Sequence, residues 1–282
     1  MRSTTAPLRR ALLSEPAAGD FESAGWLATP DLDRLRGQHA AFAELLTELG
    51  VDVTVLPASD GLVDSCFAYD PVLITERGVI ELRMAKPARV EEPARLVAAL
   101  ADLGVSPAGR LDDSAVADAG DMFWLDEQTL AVAHGYRTNR AAHDQLASIL
   151  ADEGASVERF DLPHHRGPEN LLHLLSVVSP VADDRALVFE PLCPVPLLEA
   201  LDERGIRRLH CDPDELELQG CNVLAVRPGV VVMADTAPRS RRVLEQAGCE
   251  VHVYEASELN LGEGGPTCLT QPVIRGSRPP RG

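Results

Sequence analysis

The feature of this sequence that most limits its fold is a unit that occurs five times: a helix that ends at a glycine and leads into a strand. Glycine adopts the left-handed conformation at a helix end at little cost. The copies recur at intervals of roughly 50 residues, which is typical of repeat architectures. Ordinary α/β proteins also end helices this way, but five near-regular copies favour a closed pseudo-symmetric ring, with the helices outside and the strands that follow them lining the axis. The five units end at Gly50, Gly104, Gly154, Gly205 and Gly248.

Polar residues of interest follow these units at similar spacings. Asp64 and Asp118 lie at the same distance after their glycines, and Asp70, His173 and Cys268 lie slightly further on. In a ring of repeats, equivalent positions converge near the axis. The repeat therefore predicts one central pocket that contains carboxylates, a histidine and a cysteine.

The sequence around Cys268 favours a thiol that is held on a stiff loop and accessible to a ligand. Two glycines and a proline precede it, in Gly264-Gly265-Pro266-Thr267, and such a turn is tight and stiff. A cysteine nucleophile needs a group that favours the thiolate and a proton shuttle for the leaving group. His173 could supply the proton, although a lone histidine in an apolar run is more often a buried structural residue. Carboxylates beside such a cysteine suit a guanidinium, which pairs with them two bonds at a time.

Charge and cysteine usage restrict the class of protein. The net charge of −18 argues against nucleic acid and anionic membranes and suits a cationic substrate, with simple solubility as the alternative. The six cysteines form no CxxC pair, and no apolar run reaches membrane-spanning length. Lys86 is the one lysine among arginines. We expect a cytoplasmic protein with free thiols.

Several of these segments together resemble the dimethylarginine dimethylaminohydrolases, a family of guanidino-group-modifying enzymes, or penteins. The resemblance covers roughly Ala11 to Val273 and implies a five-bladed α/β propeller. Each segment alone is weak, but the combination is specific. The segments are Asp64 with Phe67-Ala68-Tyr69-Asp70-Pro71, Asp118-Ala119-Gly120-Asp121, Arg137-Thr138-Asn139, Leu172-His173-Leu174, and Ser257-Glu258-Leu259 leading to Thr267-Cys268.

The resemblance also implies catalytic roles. Cys268 attacks the guanidine carbon and forms a covalent thiouronium. His173 protonates the departing amine and then activates water, and Asp118 orients the histidine. Asp70 binds the guanidinium nitrogens, and Glu263 matches an acidic position of the family just before the cysteine. No metal or organic cofactor is implied.

Recognition of the rest of the substrate follows from the same resemblance. Arg89 and Arg137 match a pair that grips the α-carboxylate, and Asp64 matches the contact to the α-amine. Tyr69 departs from the family, because it stands where a second acid or an arginine is usual. An aromatic wall beside the guanidine would favour an N-methylated arginine over arginine.

The sequence therefore predicts a hydrolase that cleaves a guanidino C–N bond of an N-methylated arginine and gives citrulline and an amine. Arginine deiminase, arginine dihydrolase or amidinotransferase activity is the alternative of the same chemistry, and a non-catalytic propeller that binds a partner is the alternative of another class. The expected partner is a small guanidino amino acid, not nucleic acid or a membrane, and a homodimer is left open. We expect residues 1–275 to form one catalytic domain and residues 276–282 to form a flexible tail.

Overall fold

The computed structural model describes residues 2–167 and 172–276. Of the expected C-terminal tail only Gly276 falls within this range, so that expectation lies outside the described residues. The strands are β1 Leu8–Ser14, β2 Asp52–Leu56, β3 Val72–Ile74, β4 Val79–Glu81, β5 Pro107–Arg110, β6 Met122–Trp124, β7 Thr129–His134, β8 Ser156–Asp161, β9 Val178–Ala182, β10 Arg185–Val188, β11 Arg207–His210, β12 Leu224–Arg227, β13 Val230–Ala234, β14 Glu250–Tyr254 and β15 Gln271–Arg275. The helices are α1 Leu32–Glu48, α2 Glu92–Asp102, α3 Arg140–Ala151, α4 Leu174–Val177, α5 Val195–Glu203, α6 Pro238–Gln246 and α7 Pro266–Leu269.

These strands form five three-stranded sheets of one pattern, β3-β4-β5, β6-β7-β8, β9-β10-β11, β12-β13-β14 and β15-β1-β2. In each sheet the first strand pairs antiparallel with the middle strand, which pairs parallel with the third. A parallel pair needs a crossover, and here a helix supplies it. The last sheet joins both ends of the described chain, since Leu12 of β1 lies between Gln271 of β15 and Thr54 of β2.

The five glycines end the crossover helices as the sequence predicted. All five have positive φ angles, between 67° and 86°. This left-handed region is costly for residues with a Cβ atom, so glycine stops each helix and turns the chain into the third strand.

The apolar core shows that the sheets close into a ring. It consists of five clusters, each shared by two neighbouring sheets, and the cluster around Phe42 and Tyr254 joins the last sheet to β12-β13-β14. The expected five-bladed α/β propeller is confirmed. Among the described residues, no helix is long and apolar enough to cross a membrane.

The expectation that the strands after the helices line the axis is wrong. Those strands are the outer edges of their sheets and have many exposed residues, as in β2 and β8. The first strand of each sheet is the inner one, and β3 and β6 are buried throughout. All five inner strands contribute to the wall of one narrow channel of about 40 Å³. A strand enclosed on both faces carries apolar residues on both, whereas an outer strand needs only one apolar face.

Candidate active site

Each sheet contributes one polar residue to the same end of the channel, from the turn that precedes its inner strand. Asp70 precedes β3, and Asp118 begins the turn before β6. His173 is the N-cap of α4 before β9, Asn222 precedes β12, and Cys268 lies in α7 before β15. The repeat thus brings together the carboxylates, the histidine and the cysteine that the sequence predicted.

Asn222 is the residue that the sequence reasoning missed. Its Nδ2 donates to Cys268 Sγ at 3.1 Å, and its Oδ1 accepts from the backbone N–H of Thr267 at 3.1 Å. The amide is buried and held at both ends, so its orientation toward the sulfur is set. The repeat held a signal for it, because Asn222 follows Gly205 at the spacing at which Asp121 follows Gly104.

Cys268 is partly buried, and its surroundings oppose ionisation. Burial and the negative charge of Asp70 raise the pKa of the Cys268 thiol to about 11, against the smaller opposing effects of the Gly265 backbone, Asn222 and Arg89. The backbone N–H of Tyr69 donates to the Cys268 carbonyl at 3.0 Å and ties the cysteine loop to the Asp70 loop. A cation held beside the sulfur would favour the thiolate.

His173 is enclosed by carboxylates. Its Nε2 lies 3.3 Å from Asp118 Oδ2, and its Nδ1 lies 4.0 Å from Asp70 Oδ1. Burial lowers the pKa of His173, but the Asp118 hydrogen bond and the charges of Asp121 and Asp70 together raise it above its usual value. The raised pKa favours the imidazolium more than in a free histidine, and the imidazolium can act as a proton donor.

The pKa values of the two acids near His173 are shifted in opposite directions. Burial raises the pKa of Asp118, but the hydrogen bond and charge of His173 outweigh it and the net pKa is lowered. Asp118 Oδ1 also accepts from the Ala85 N–H at 3.0 Å. Burial raises the pKa of Asp121 to about 6, and this carboxyl accepts from Thr138 and from the Leu174 N–H. Asp118 thus holds the imidazole, and Asp121 holds the turn that carries it.

Gly120 makes room for this arrangement. A Cβ atom at this position would clash with the imidazole of His173 and would lie 2.8 Å from Asp70 Oδ1. The Gly120 N–H donates to the same oxygen at 3.0 Å. Only glycine permits so close an approach of the backbone to both side chains.

Arg89 lies elsewhere than expected. Its guanidinium is buried and donates to Asp70 Oδ2 at 2.7 Å, to Glu92 Oε2 at 2.9 Å and to the Phe67 carbonyl at 2.9 Å. Burial raises the pKa of Glu92 to about 7, even beside this cation. Arg89 therefore orients Asp70 through this ion pair. Of the expected arginine pair, Arg137 is the member that lines the cavity described next.

A cavity of about 520 Å³, called the mouth cavity below, adjoins the site at Arg137. Arg137 lines it and lies 3.7 Å from Asp118 Oδ2, which connects the mouth to the catalytic acid. Glu263 lines the same cavity from a left-handed backbone position with φ of 57°, and burial raises its pKa. Ser23, Trp26, Lys86 and Tyr136 also line the cavity.

Asp64 does not line this cavity. Its Oδ1 accepts from the Trp26 indole at 2.8 Å, and its Oδ2 pairs with the Lys86 ammonium. The carboxylate expected to bind the substrate amine is thus paired with a cation of the chain itself.

Tyr69 does not form a wall beside the guanidine, which corrects the expectation from the sequence. Its ring lines the apolar channel, and its hydroxyl donates to the Met122 carbonyl at 3.1 Å. Asp70, the next residue, turns toward His173 instead. The channel offers the ring apolar neighbours and its hydroxyl an acceptor, so this orientation satisfies both parts of the side chain.

Replacing Tyr69 by phenylalanine should therefore leave turnover nearly unchanged and cost about 0.5–1.5 kcal/mol of unfolding free energy, the worth of one neutral hydrogen bond. Denaturant unfolding and kcat/KM measure the two quantities. A variant with full stability and greatly reduced kcat/KM would instead indicate that Tyr69 contacts the substrate.

Replacing Asn222 by alanine should raise the pKa of the Cys268 thiol and reduce kcat/KM by an amount equivalent to about 1.5–3 kcal/mol, because a donor to the thiolate is lost. Steady-state kinetics and the pH dependence of thiol alkylation measure this. Asn260→Ala is the control, since the Asn260 amide donates to Thr236 and does not touch the cysteine. Equal losses in both variants would contradict the role of Asn222.

The described residues contain no group of three or more His, Cys, Asp or Glu side chains placed to hold a metal ion. All six cysteines are free thiols.

Comparisons with known proteins find similarity to arginine deiminases and to dimethylarginine dimethylaminohydrolases. The sequence profile of the family described as arginine deiminase matches residues 197–275. An arginine deiminase of Listeria monocytogenes is 27% identical over 77% of this chain, which spans 62% of that protein's length. The dimethylarginine dimethylaminohydrolases of Streptomyces coelicolor and Pseudomonas aeruginosa are 28% and 25% identical, over 83% and 86% of this chain and 83% and 90% of their own lengths.

Solved structures share the fold. The Pseudomonas aeruginosa dimethylarginine dimethylaminohydrolase, in a mutant complexed with citrulline, superposes with a TM-score of 0.78 at 23% identity, over 94% of this chain and 98% of that one. The N-terminal domain of ArgZ, an arginine dihydrolase of cyanobacteria bound to its substrate, gives a TM-score of 0.82 at 19% identity, over 95% and 98% of the two chains.

Proposed function

We propose that this chain, which is similar to enzymes of the pentein superfamily, hydrolyses a C–N bond in the guanidino group of an arginine-like compound. The observation that carries this proposal is the convergence of Cys268, His173, Asp118 and Asp70 at one end of the channel. These are the groups that attack on a guanidine carbon requires: a nucleophile, a proton donor, and carboxylates for the cation.

The proposed reaction has two steps. The Cys268 thiolate attacks the guanidine carbon, a C–S bond forms, and the C–N bond to the leaving nitrogen breaks as His173 donates its proton to the departing amine. The neutral imidazole then takes a proton from water, whose oxygen attacks the thiouronium carbon. Cleavage of the C–S bond returns the sulfur and releases the ureido product, citrulline in the case of an arginine.

Electrostatics connect substrate binding to this chemistry. With the pKa of Cys268 at about 11, the free enzyme holds mostly a thiol at neutral pH. A guanidinium bound by Asp70 would lie beside the sulfur and stabilise the thiolate. The thiol would thus release its proton to solvent, and so form the nucleophile, mainly when a cationic substrate is present.

Recognition of the amino-acid end of the substrate, away from the guanidine, further restricts the substrate class. Arg137 faces the mouth cavity and is placed to bind a carboxylate, whereas Arg89 holds Asp70. Because Tyr69 turns away from the site, its ring supplies no reason to favour methyl groups on the guanidine. We propose that the substrate is a guanidino compound that carries a carboxylate. Arginine and N-methylated arginine are both candidates.

A substrate panel tests this function. We expect arginine, monomethylarginine and dimethylarginine to give citrulline and the corresponding amine. Agmatine, which lacks the carboxylate, should have a kcat/KM lower by an amount equivalent to roughly 2–5 kcal/mol, the cost of leaving a charged partner unpaired. Citrulline and amine release measure turnover. Absence of any ureido product would contradict the function, and equal turnover of agmatine would contradict the role of Arg137.

A further inference from the structure

Two of the six free thiols lie together in the apolar cluster between the sheets β9-β10-β11 and β12-β13-β14. Cys211 follows the outer strand β11, and Cys221 lies shortly before the inner strand β12. Both contact the middle strand β10. The Cys211 N–H donates to the Val188 carbonyl at 3.0 Å, and Cys221 Sγ lies 3.6 Å from the Leu187 carbonyl oxygen. The Cys221 thiol is close enough to donate a hydrogen bond to the Cys211 sulfur, and no covalent bond joins the two.

The two thiols differ in the way that a disulfide-forming pair requires. The hydrogen bond from Cys221 lowers the pKa of the Cys211 thiol, and Ser240, whose Oγ lies 3.5 Å from the sulfur, adds to this effect against that of burial. Burial raises the pKa of each of the other five cysteines. Cys211 lies between the exposed His210 and the half-buried Asp212, whereas Cys221 is almost fully enclosed. Cys211 is thus the thiol that a small oxidant attacks first, and Cys221 is placed to react with it next.

Cys221 is joined directly to Asn222, whose amide holds Cys268 Sγ. The Cys221 carbonyl accepts from Ser179 Oγ at 2.7 Å, and the same oxygen accepts from the Val223 N–H at 3.0 Å. One side chain therefore ties the backbone on both sides of Asn222. A disulfide bond of about 2.05 Å is much shorter than a hydrogen bond between two thiols, so its formation would draw together the turns that carry the sulfurs. The 3.1 Å hydrogen bond from Asn222 to Cys268 depends on one of these turns and would lengthen.

We infer that Cys211 and Cys221 form a reversible disulfide that weakens the contact between Asn222 and Cys268. The oxidant is a hydroperoxide such as hydrogen peroxide. The Cys211 thiolate attacks one peroxide oxygen, the O–O bond breaks, and Cys211 becomes a sulfenic acid. The hydroxide that leaves takes up the proton that Cys211 released on ionising. The Cys221 sulfur then displaces the sulfenic oxygen, which leaves as water with the Cys221 proton. The two cysteines lose two electrons, and the peroxide takes them up as two molecules of water.

Mass spectrometry after mild oxidation tests the pairing. Reduced protein is freed of reductant, treated with increasing hydrogen peroxide, blocked with N-ethylmaleimide in denaturant and digested without reduction. We expect a peptide in which Cys211 is linked to Cys221, at peroxide concentrations that leave Cys249 and Cys268 unoxidised. Dithiothreitol should convert it back to the two free peptides. Oxidation of Cys249 or Cys268 without the linked peptide would overturn the inference.

The rate at which iodoacetamide alkylates Cys268 near neutral pH tests the effect on Asn222. In the oxidised protein this rate should fall by about tenfold, because loss of one donor to a thiolate raises its pKa by about one unit. Reduction should restore the rate. Cys211→Ser and Cys221→Ser cannot form the bond, so the same oxidation should leave their rates unchanged. Cys249→Ser, from the same apolar cluster, is the matched control and should respond as the wild type does.

The serine variants also separate the disulfide from direct oxidation of Cys268. An alkylation rate that falls equally in the wild type and in Cys211→Ser would contradict the inference, and so would a wild-type rate that stays unchanged once the linked peptide has formed. Should a serine variant not fold, the linked peptide and the wild-type rate still decide. Neither measurement needs a substrate, so both are independent of the hydrolysis proposed for Cys268.

Discussion

Replacing Cys268 by serine should lower kcat/KM by roughly 10⁴- to 10⁶-fold, as removal of a catalytic nucleophile does in other covalent enzymes. A serine hydroxyl ionises far less readily than a thiol, and the burial and negative charge that raise the pKa of Cys268 to about 11 would oppose an alkoxide still more. Steady-state turnover of the best substrate measures the loss. Mass spectrometry of acid-quenched wild-type protein should show a thiouronium adduct on Cys268.

Cys249→Ser is the matched control, because Cys249 is a buried thiol at the start of an outer strand, away from the site. It should retain turnover and lose at most a few tenths to about 2 kcal/mol of stability, as expected for a buried polar substitution. Undiminished activity in the Cys268 variant, or an adduct on Cys249, would end the proposed mechanism.

The pH dependence of alkylation gives a second check on the same cysteine. Without substrate, the rate of Cys268 alkylation by iodoacetamide should rise up to pH values near 11, because only the thiolate reacts and its pKa is about 11. Asp70→Asn removes a negative charge that raises this pKa, so the rise should move to lower pH. A shift to higher pH would show that Asp70 acts on the thiol with the opposite sign.

Replacing His173 by alanine should lower kcat/KM by roughly 10²- to 10⁴-fold, the usual contribution of a general acid–base group. Both steps need this imidazole, because it protonates the leaving amine and then activates water. A substrate with a thiol leaving group, such as an S-methylisothiourea, depends less on protonation in the first step. With that substrate we expect the adduct on Cys268 to accumulate in the His173 variant, which mass spectrometry detects.

The control for this prediction is His252→Ala. His252 lies on the outer strand β14 and pairs with Glu250 at the surface, so its loss should change neither turnover nor adduct lifetime. Normal turnover in the His173 variant, or an adduct that decays at the wild-type rate, would contradict the proton-transfer role of His173.

The part of the candidate site that could be predicted from the sequence is the part formed by equivalent positions of the repeat. Cys268, His173 and Asp70 follow their glycines at nearly equal spacings, so a ring of repeats had to bring them together. Asn222 follows its glycine at a shorter spacing, and an asparagine carries no chemical signal of its own. Only its hydrogen bond to the sulfur shows what it does. Spacing predicts which backbone positions meet, whereas a contact depends on where each side chain points.

Three orientations were decided by tertiary packing. Tyr69 and Asp70 are adjacent, yet one side chain enters the apolar channel and the other faces His173. Arg89 turns inward because two buried acids need a cation, and that leaves the mouth to Arg137 and Lys86. Side chains settle where apolar area is covered and charges are paired, and both conditions depend on residues far away in the sequence.

The sequence by itself determined the ring and the meeting of Cys268, His173 and Asp70 in it, because helix-ending glycines and the apolar strands between them are local properties repeated five times. It did not determine which strand of each repeat is the inner one, since that depends on how the five sheets cover one another. It likewise did not reveal that Lys86 neutralises Asp64. Lys86 and Asp64 lie in separate turns, and both bind the segment of Ala24 and Trp26, so only the folded arrangement brings these two charges into contact.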